Sequence, residues 1–380
     1  MSIRDVENTL SEARKKNSRS MMRDYVMGGG ATAEPCSYED MSYILQKLNE
    51  MSCPKEWKQD IVFAAINRGD VKEGTPESKF LYGCVRDNID KFDEFWQPDD
   101  SRKVVGQNVG VAIDDIQSGK IKPDSKFYGE TITALAANRD KDERLKSNGA
   151  RDWLYNQALT LGRIDAVENL IKDAYAGEKP DEAFVDKVLR DCTAKFAADD
   201  CTGIYQTVAT KSKNSEVLRH VSACMTTLES KNNIYHLADT LSQNPHIPEN
   251  VQKNCVKFDL ALPDFLQGTL TSNVAEHTKN PEMLDLCLGN IDKIVDKNAD
   301  MFRYMHNHSY MSNCWDIMNN VLKNPNKTEQ NVASVSAIAN SGKVKREIDA
   351  SCEVLDKLTA MKKEKSTTAA LQFSQGNTGR

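Results

Sequence analysis

The sequence is poor in the features that would announce a membrane span or a reaction. Its longest purely apolar run extends only from Ile61 to Ile66, against the roughly 18–20 residues that a bilayer-spanning helix requires. The opening Met1-Ser2-Ile3-Arg4-Asp5 lacks the apolar core of a secretory leader. Together these absences lead to the expectation of a cytoplasmic protein with no membrane span, export by a signal-independent route being left open. Stretches that alternate β-branched and aromatic residues between hairpin turns are also missing, which excludes a sheet-based core and makes the fold class all-α.

Chemistry-bearing motifs are absent as well. There is no Gly-x-Ser-x-Gly nucleophile elbow, no phosphate-binding Gly-x-x-x-x-Gly-Lys-Ser/Thr, no His-Glu-x-x-His and no His-Asp dipeptide. None of the ten cysteines forms a Cys-x-x-Cys pair, so they read as reduced, small apolar residues on helix faces. Cys224, Cys255 and Cys287 recur at nearly even spacing, either as one core position in successive helical units or as a coincidence among ten cysteines.

The six histidines cluster between His220 and His308, and His306, His308 and Cys314 are the tightest group. Residues two apart do not share a helix face, so a metal site is not expected there. Asp99-Asp100-Ser101 reads as a helix N-cap cluster rather than a catalytic carboxylate pair. The expectation is therefore a non-enzyme with no cofactor. A net charge of -6 supplies no positive field for nucleic acid.

What is present is regular punctuation. Ile3, Val6, Leu10 and Ala13 step along one face of an amphipathic helix that ends before Gly28-Gly29-Gly30. Further on, Pro54, Pro76, Pro123, Pro180, Pro245, Pro281 and Pro325 each precede an apolar-periodic run, as prolines do in a first helical turn. Gly69, Gly119, Gly162 and Gly177 stand where left-handed C-caps are needed.

The punctuation repeats. Pro76-Glu77-Ser78-Lys79-Phe80 recurs as Pro123-Asp124-Ser125-Lys126-Phe127 and more loosely as Pro180-Asp181-Glu182-Ala183-Phe184, at periods of about 47 and 57 residues. The phenylalanine is expected to point inward each time. In the second half, Asn244-Pro245, Asn280-Pro281 and Asn324-Pro325 read as N-capping asparagines before a first-turn proline, with Lys213-Asn214-Ser215-Glu216 as an earlier member lacking the proline.

Helix pairs repeating every ~30–50 residues resemble armadillo- or HEAT-like arrays across about residues 36–365. The resemblance implies an α-solenoid-like array of helical hairpins, with an irregular multi-helix bundle as the alternative. The expected layout is an N-terminal helix and glycine hinge at 1–30, a first helical sub-array at 31–200, a second with its terminal cap helix at 201–365, and a disordered tail at 366–380.

A solenoid without visible chemistry leads to the expectation of a scaffold or adaptor that binds a protein partner. Phe92, Glu94, Phe95 and Trp96 combine aromatics with dense acidic charge and are the candidate partner-binding residues, the alternative being an inward aromatic face with solvated acids outside. Two other functional readings stand beside this one. The first is a structural subunit docking a neighbouring copy through residues 1–27 or 366–380. The second is an enzyme on a helical array, of the nucleic-acid glycosylase kind, which would need Trp57, Trp96, Trp153 or Trp315 gathered on a basic face.

Overall fold

The computed structural model describes residues 3–16, 18–28, 36–50, 55–68, 71–89, 98–298, 309–344 and 351–363. Among them every regular element is helical and no strand occurs. The chain forms two compact units, Met1–Asp173 and Ala174–Arg380.

Unit 1 holds α1 (Ile3–Lys15), α2 (Arg19–Met27), α3 (Tyr38–Glu50), α4 (Lys55–Asn67), α5 (Pro76–Asn88), α6 (Pro98–Gly106), α7 (Val109–Gln117), α8 (Lys126–Ala137), α9 (Asn148–Thr160) and α10, which begins at Ile164. The first helix buries Val6, Leu10 and Ala13 and packs on α2 and α3. Even-numbered helices stack in succession, α2 on α4, α4 on α6 and α6 on α8, while each odd-numbered helix is the hairpin partner of an even one. In α10 the residues at helical spacing, Val167, Leu170 and Ile171, are buried, each large aliphatic contributing about 1.5–3 kcal/mol relative to exposure.

Unit 2 repeats the plan with α11 (Glu182–Lys195), α12 (Thr202–Lys211), α13 (Ser215–Cys224), α14 (Lys231–Ser242), α15 (Glu249–Asp259), α16 (Thr269–His277), α17 (Pro281–Asn298), α18 (Ser309–Lys323) and α19 (Glu329–Asn340), followed by a helix across 351–363. One layer runs α11, α13, α15, α17, α19 and the other α12, α14, α16, α18. Cys192, Cys224, Cys255 and Cys287 fall on four successive helices of the first layer, all buried. Their even spacing thus marks one core position per hairpin.

Side-chain hydrogen bonds between a helix and its next-but-one neighbour measure the true repeat. The partners are 30 residues apart in Ser78–Asn108, 32 in Thr133–Asp165, 32 in Ser212–Asn244 and 34 in Asp239–Asn273. The periods of 47 and 57 expected from the Pro-acid similarity are therefore not the structural repeat. That motif relates the starts of α5, α8 and α11, of which α5 and α8 belong to different layers of unit 1; what recurs is cap chemistry, not the hairpin.

Several helix starts also differ from expectation. Pro76 and Pro281 do open their helices, with Thr75 and Asn280 as caps. Pro123, Pro180, Pro245 and Pro325 lie in the preceding loops, and Ser125, Asp181 and Thr328 accept the first helical N–H groups of α8, α11 and α19 instead. A hydroxyl or carboxylate accepts where proline cannot, so the cap residue rather than the proline sets the boundary. Gly119 and Gly162 take the left-handed conformation at φ 74° and 66°, whereas Gly177 does not. Pro54 and Gly69 lie outside the described residues.

Asn244 and Asn324 are not N-caps. The buried amide of Asn244 donates to Ala209 O at 2.6 Å and Ser212 O at 2.9 Å, while its oxygen accepts from His246 N at 2.8 Å. Asn324 repeats the pattern on Ala275 O, Thr278 O and Asn326 N at 2.9, 3.0 and 2.8 Å. Each satisfies the orphan carbonyls that end α12 or α16. Asn214 and Asn280 are the real caps, accepting from Glu216 N and Glu282 N at 2.9 Å each.

Candidate functional site

Phe92, Glu94, Phe95 and Trp96 lie outside the described residues, as do His306 and His308. Of the remaining histidines, His220 contacts the Asp186 carboxylate at 3.2 Å and the His236 ring lies 5.4 Å from that of Tyr235, tilted by 51°. No group of three or more His, Cys, Asp or Glu among the described residues is placed to hold a metal ion.

Two clusters of buried charge have the look of reactive sites, and their bonding identifies them as structural. Glu130 on α8 is only 4% exposed. Both its oxygens accept from Arg163, at 2.9 Å each, and Oε2 also accepts from Arg102 Nε at 2.8 Å. Asp165 completes the network at 2.5 Å from Arg102. Two guanidiniums are thus held on one carboxylate, which ties α6 and the start of α10 to α8.

In unit 2, Asp259 at the end of α15 is fully buried and accepts from Gly268 N at 2.8 Å, Leu270 N at 3.3 Å and Thr271 Oγ1 at 2.5 Å. Burial pushes its carboxyl up to about 6 although these bonds oppose the shift. The group caps α16 from another helix and faces no opening.

Unit 2 has a polar-lined hollow of about 380 Å³ beside Lys213, Pro248, Gln252 and Asn280, and two more apolar-walled openings lie in the odd-numbered layer of unit 1. The first is a hollow of about 440 Å³ between α3 and α5, floored by Val62 of α4. Leu45, Phe80, Gly83 and Cys84 make its apolar walls, and Gln46, Lys58, Lys79 and Asp87 its polar ones. Burial and the nearby Asp87 charge push the Cys84 thiol up to about 12, away from the thiolate form. A β-carbon added at Gly83 would meet nothing within 4 Å, which places that glycine against open space.

The second hollow, about 380 Å³, lies between α7 and α9 with Leu135 of α8 as part of its lining. Ile113, Ile116, Leu145, Ala150 and Trp153 line it, with Gln117 and Arg144 at the polar side. Trp153 is 37% exposed, unusual for an indole with an apolar hollow beside it. Arg144 is spent within the fold. Its Nη1 donates to Asp114 at 2.6 Å and its Nε and Nη2 to Asp142 at 2.9 and 2.8 Å, and these bonds hold the Asp142 carboxyl down to about 2.

Between the hollows the seam of α5 with α7 is closed. Ser78 Oγ donates to Asn108 Oδ1 at 3.2 Å, and Arg86 Nη1 donates to the buried Asp115 at 2.7 Å, with Lys120 on the other oxygen at 3.2 Å. Burial opposes ionisation of Asp115, yet the two cations outweigh it and its carboxyl lies below the ordinary value. The layer thus runs open, closed, open across α3, α5, α7 and α9.

Sequence reasoning passed over these positions. Phe80 was expected inward with its counterparts. Phe127 and Phe184 are buried, whereas Phe80 is half-buried because it walls the first hollow. No sequence signal marked them: Gly83 and Ala150 stand where a larger side chain would fill the groove, in helices of mixed polarity.

No protein-family model matches the chain, and no curated protein is similar to it. Among solved structures, a circular tandem repeat protein with novel repeat topology and enhanced subunit contact surfaces aligns over 99% of this chain and 91% of its own, at 11% identity and a TM-score of 0.22. A score that low carries no argument about this molecule.

Proposed function

We propose that the chain is a non-catalytic helical-repeat scaffold that binds a protein partner across the α3, α5, α7 and α9 layer of unit 1. The observation that carries this reading is the pair of apolar-walled hollows in that layer, one of them beside the exposed indole of Trp153. Concave apolar sites with a few polar groups at the rim are where side chains of a partner gain most from leaving water. The buried charges of the unit, in contrast, are consumed in holding helices together.

A reducing, cytoplasmic setting belongs to the same proposal. The nine cysteines among the described residues are free thiols, seven of them buried, as suits a compartment that keeps thiols reduced.

The test is site-specific photo-crosslinking in the cells that express the chain, with a benzophenone side chain at Gln117 and, as control, at Asn232. A partner captured at the first site and not at the second, and lost when Ala150→Leu or Gly83→Leu fills a hollow, supports the reading. Capture that is equal at both sites, or indifferent to the filled hollows, would sink it.

A further inference from the structure

Asn148-Gly149 is the one Asn-Gly pair in the sequence. Asparagine followed by glycine is the pair most prone to self-modification, because glycine carries no β-carbon to keep its backbone nitrogen away from the asparagine side chain. Folded structure normally suppresses the reaction. In a helix interior the following N–H is held by a carbonyl four residues back, so that nitrogen is neither free to turn nor ready to lose its proton.

The start of α9 lacks this protection. Asn148 and Gly149 are its first two residues, and both are exposed. Ser147 caps the helix through Oγ, which accepts from Ala150 N at 3.1 Å, and Arg151 N bonds back to Ser147 O at 3.1 Å. The Gly149 N–H takes no acceptor among the described residues. It lies in the positive field of the helix N-terminus, which favours both a deprotonated nitrogen and an oxyanion formed on the neighbouring side chain. A β-carbon built on Gly149 would meet only Ser147 Oγ, at 4.0 Å, so no side chain crowds the reacting atoms.

We infer that Asn148 is a site of spontaneous deamidation and that its isoaspartyl product reshapes the hollow beside Trp153. The Gly149 nitrogen gives its proton to hydroxide and attacks Asn148 Cγ. A C–N bond forms, and the side-chain amide nitrogen leaves as ammonia with a proton taken from water, which restores the hydroxide. Water then opens the cyclic imide at either carbonyl, leaving aspartate or isoaspartate at position 148. Aspartate puts a carboxylate in the first turn, where the positive helix end favours it. Isoaspartate routes the main chain through the β-carbon, and the added atom breaks the register of the Ser147 cap with Ala150. Ala150 lines the hollow, so losing that cap changes its wall.

The purified full chain, kept warm at mildly alkaline pH and sampled over weeks, tests this by tryptic mapping of the peptide Ser147–Arg151. Its aspartyl and isoaspartyl forms should accumulate roughly tenfold faster than deamidation at Asn156, in the interior of the same helix, and within about thirtyfold of the rate in the free synthetic peptide. Gly149→Ala, which the open space at that position admits, should slow the reaction roughly tenfold with unchanged far-ultraviolet dichroism. The isoaspartyl fraction, separated by ion exchange, should show faster hydrogen exchange at the amides of Ala150 to Leu154.

A folded chain that falls below the thirtyfold margin, a rate indifferent to Gly149→Ala, or an Asn156 that reacts as fast overturns the site. Unchanged exchange at the start of α9 in the isoaspartyl fraction overturns its effect on the hollow. These measurements need no partner, so their outcome is separate from that of the protein-binding reading.

Discussion

Asn324 donates its side-chain amide to the carbonyl of Thr278 at 3.0 Å across a separation of 46 residues, and both residues are buried. The bond joins the loop after α18 to the loop after α16, and with its partner bond to Ala275 it leaves neither carbonyl unpaired. Asn244 makes the same connection to Ser212 and Ala209.

Replacing either asparagine should cost more than replacing a true cap. Asn244→Ala strands the buried carbonyls of Ala209 and Ser212, and Asn324→Ala strands that of Ala275 and leaves that of Thr278 only a 3.4 Å bond from Asn326 Nδ2, a loss of about 2–3 kcal/mol each. Asn280→Ala removes one exposed N-cap bond, about 1 kcal/mol. Urea midpoints order the three, and an Asn280 variant that proves the most damaging would refute the assignment of roles.

The Glu130 clamp should behave as a structural bolt. Glu130→Ala leaves two guanidiniums facing each other, and because Arg102 and Arg163 are 26% and 22% exposed the loss falls at about 3 kcal/mol, the lower end for a broken buried pair. Chemical denaturation of the variant checks this, and a change below about 1 kcal/mol would contradict it.

Asp259 predicts a pH dependence of defined sign. Its carboxyl, raised to about 6 by burial, binds a proton more tightly in the folded chain than in the unfolded one. Stability from this group is therefore fully present below about 4 and is lost as pH rises through 6. Measured against Asp259→Asn, which cannot titrate, the wild-type chain should gain up to about 3 kcal/mol between pH 7 and pH 4. A difference that is flat over this range, or that grows as pH rises, is the contrary result.

Two glycines should respond oppositely to alanine. Gly83 sits inside α5 with open space where its β-carbon would be, so Gly83→Ala stabilises by about 0.5–1 kcal/mol. Gly268 has φ +94°, and a β-carbon there would lie 2.7 Å from Asn313 Cβ, so Gly268→Ala destabilises by about 2–3 kcal/mol. Thermal melts of the pair separate the cases.

The all-α class and the helical-hairpin array were legible because periodic apolar residues and caps are local signals. The cysteine spacing carried the correct period of the second unit, since a small apolar residue at one core position leaves an even trace. The longer Pro-acid periods misled because cap sequences serve any helix start, whichever layer the helix joins. Asn244 and Asn324 were misread for a related reason: an asparagine before proline fits a cap locally, and only the arrival of a distant helix end shows where its amide points. The hollows were illegible because they consist of missing volume. Gly83 and Ala150 look unremarkable until the neighbouring helices are in place.

In unit 2 the bonded partners Ser212–Asn244, Asp239–Asn273 and Val256–Asn290 stand 32 to 34 residues apart, whereas Gln267–Asn313 and Ser272–Asn320 stand 46 and 48 apart. The same kinds of bond are kept on both sides of that step. Register in this unit is therefore set where helices meet and not by counting along the chain. One residue added between α16 and α17 would displace Asn280 from its cap, while the spacing along the chain between bonded layers is free to differ from one hairpin to the next.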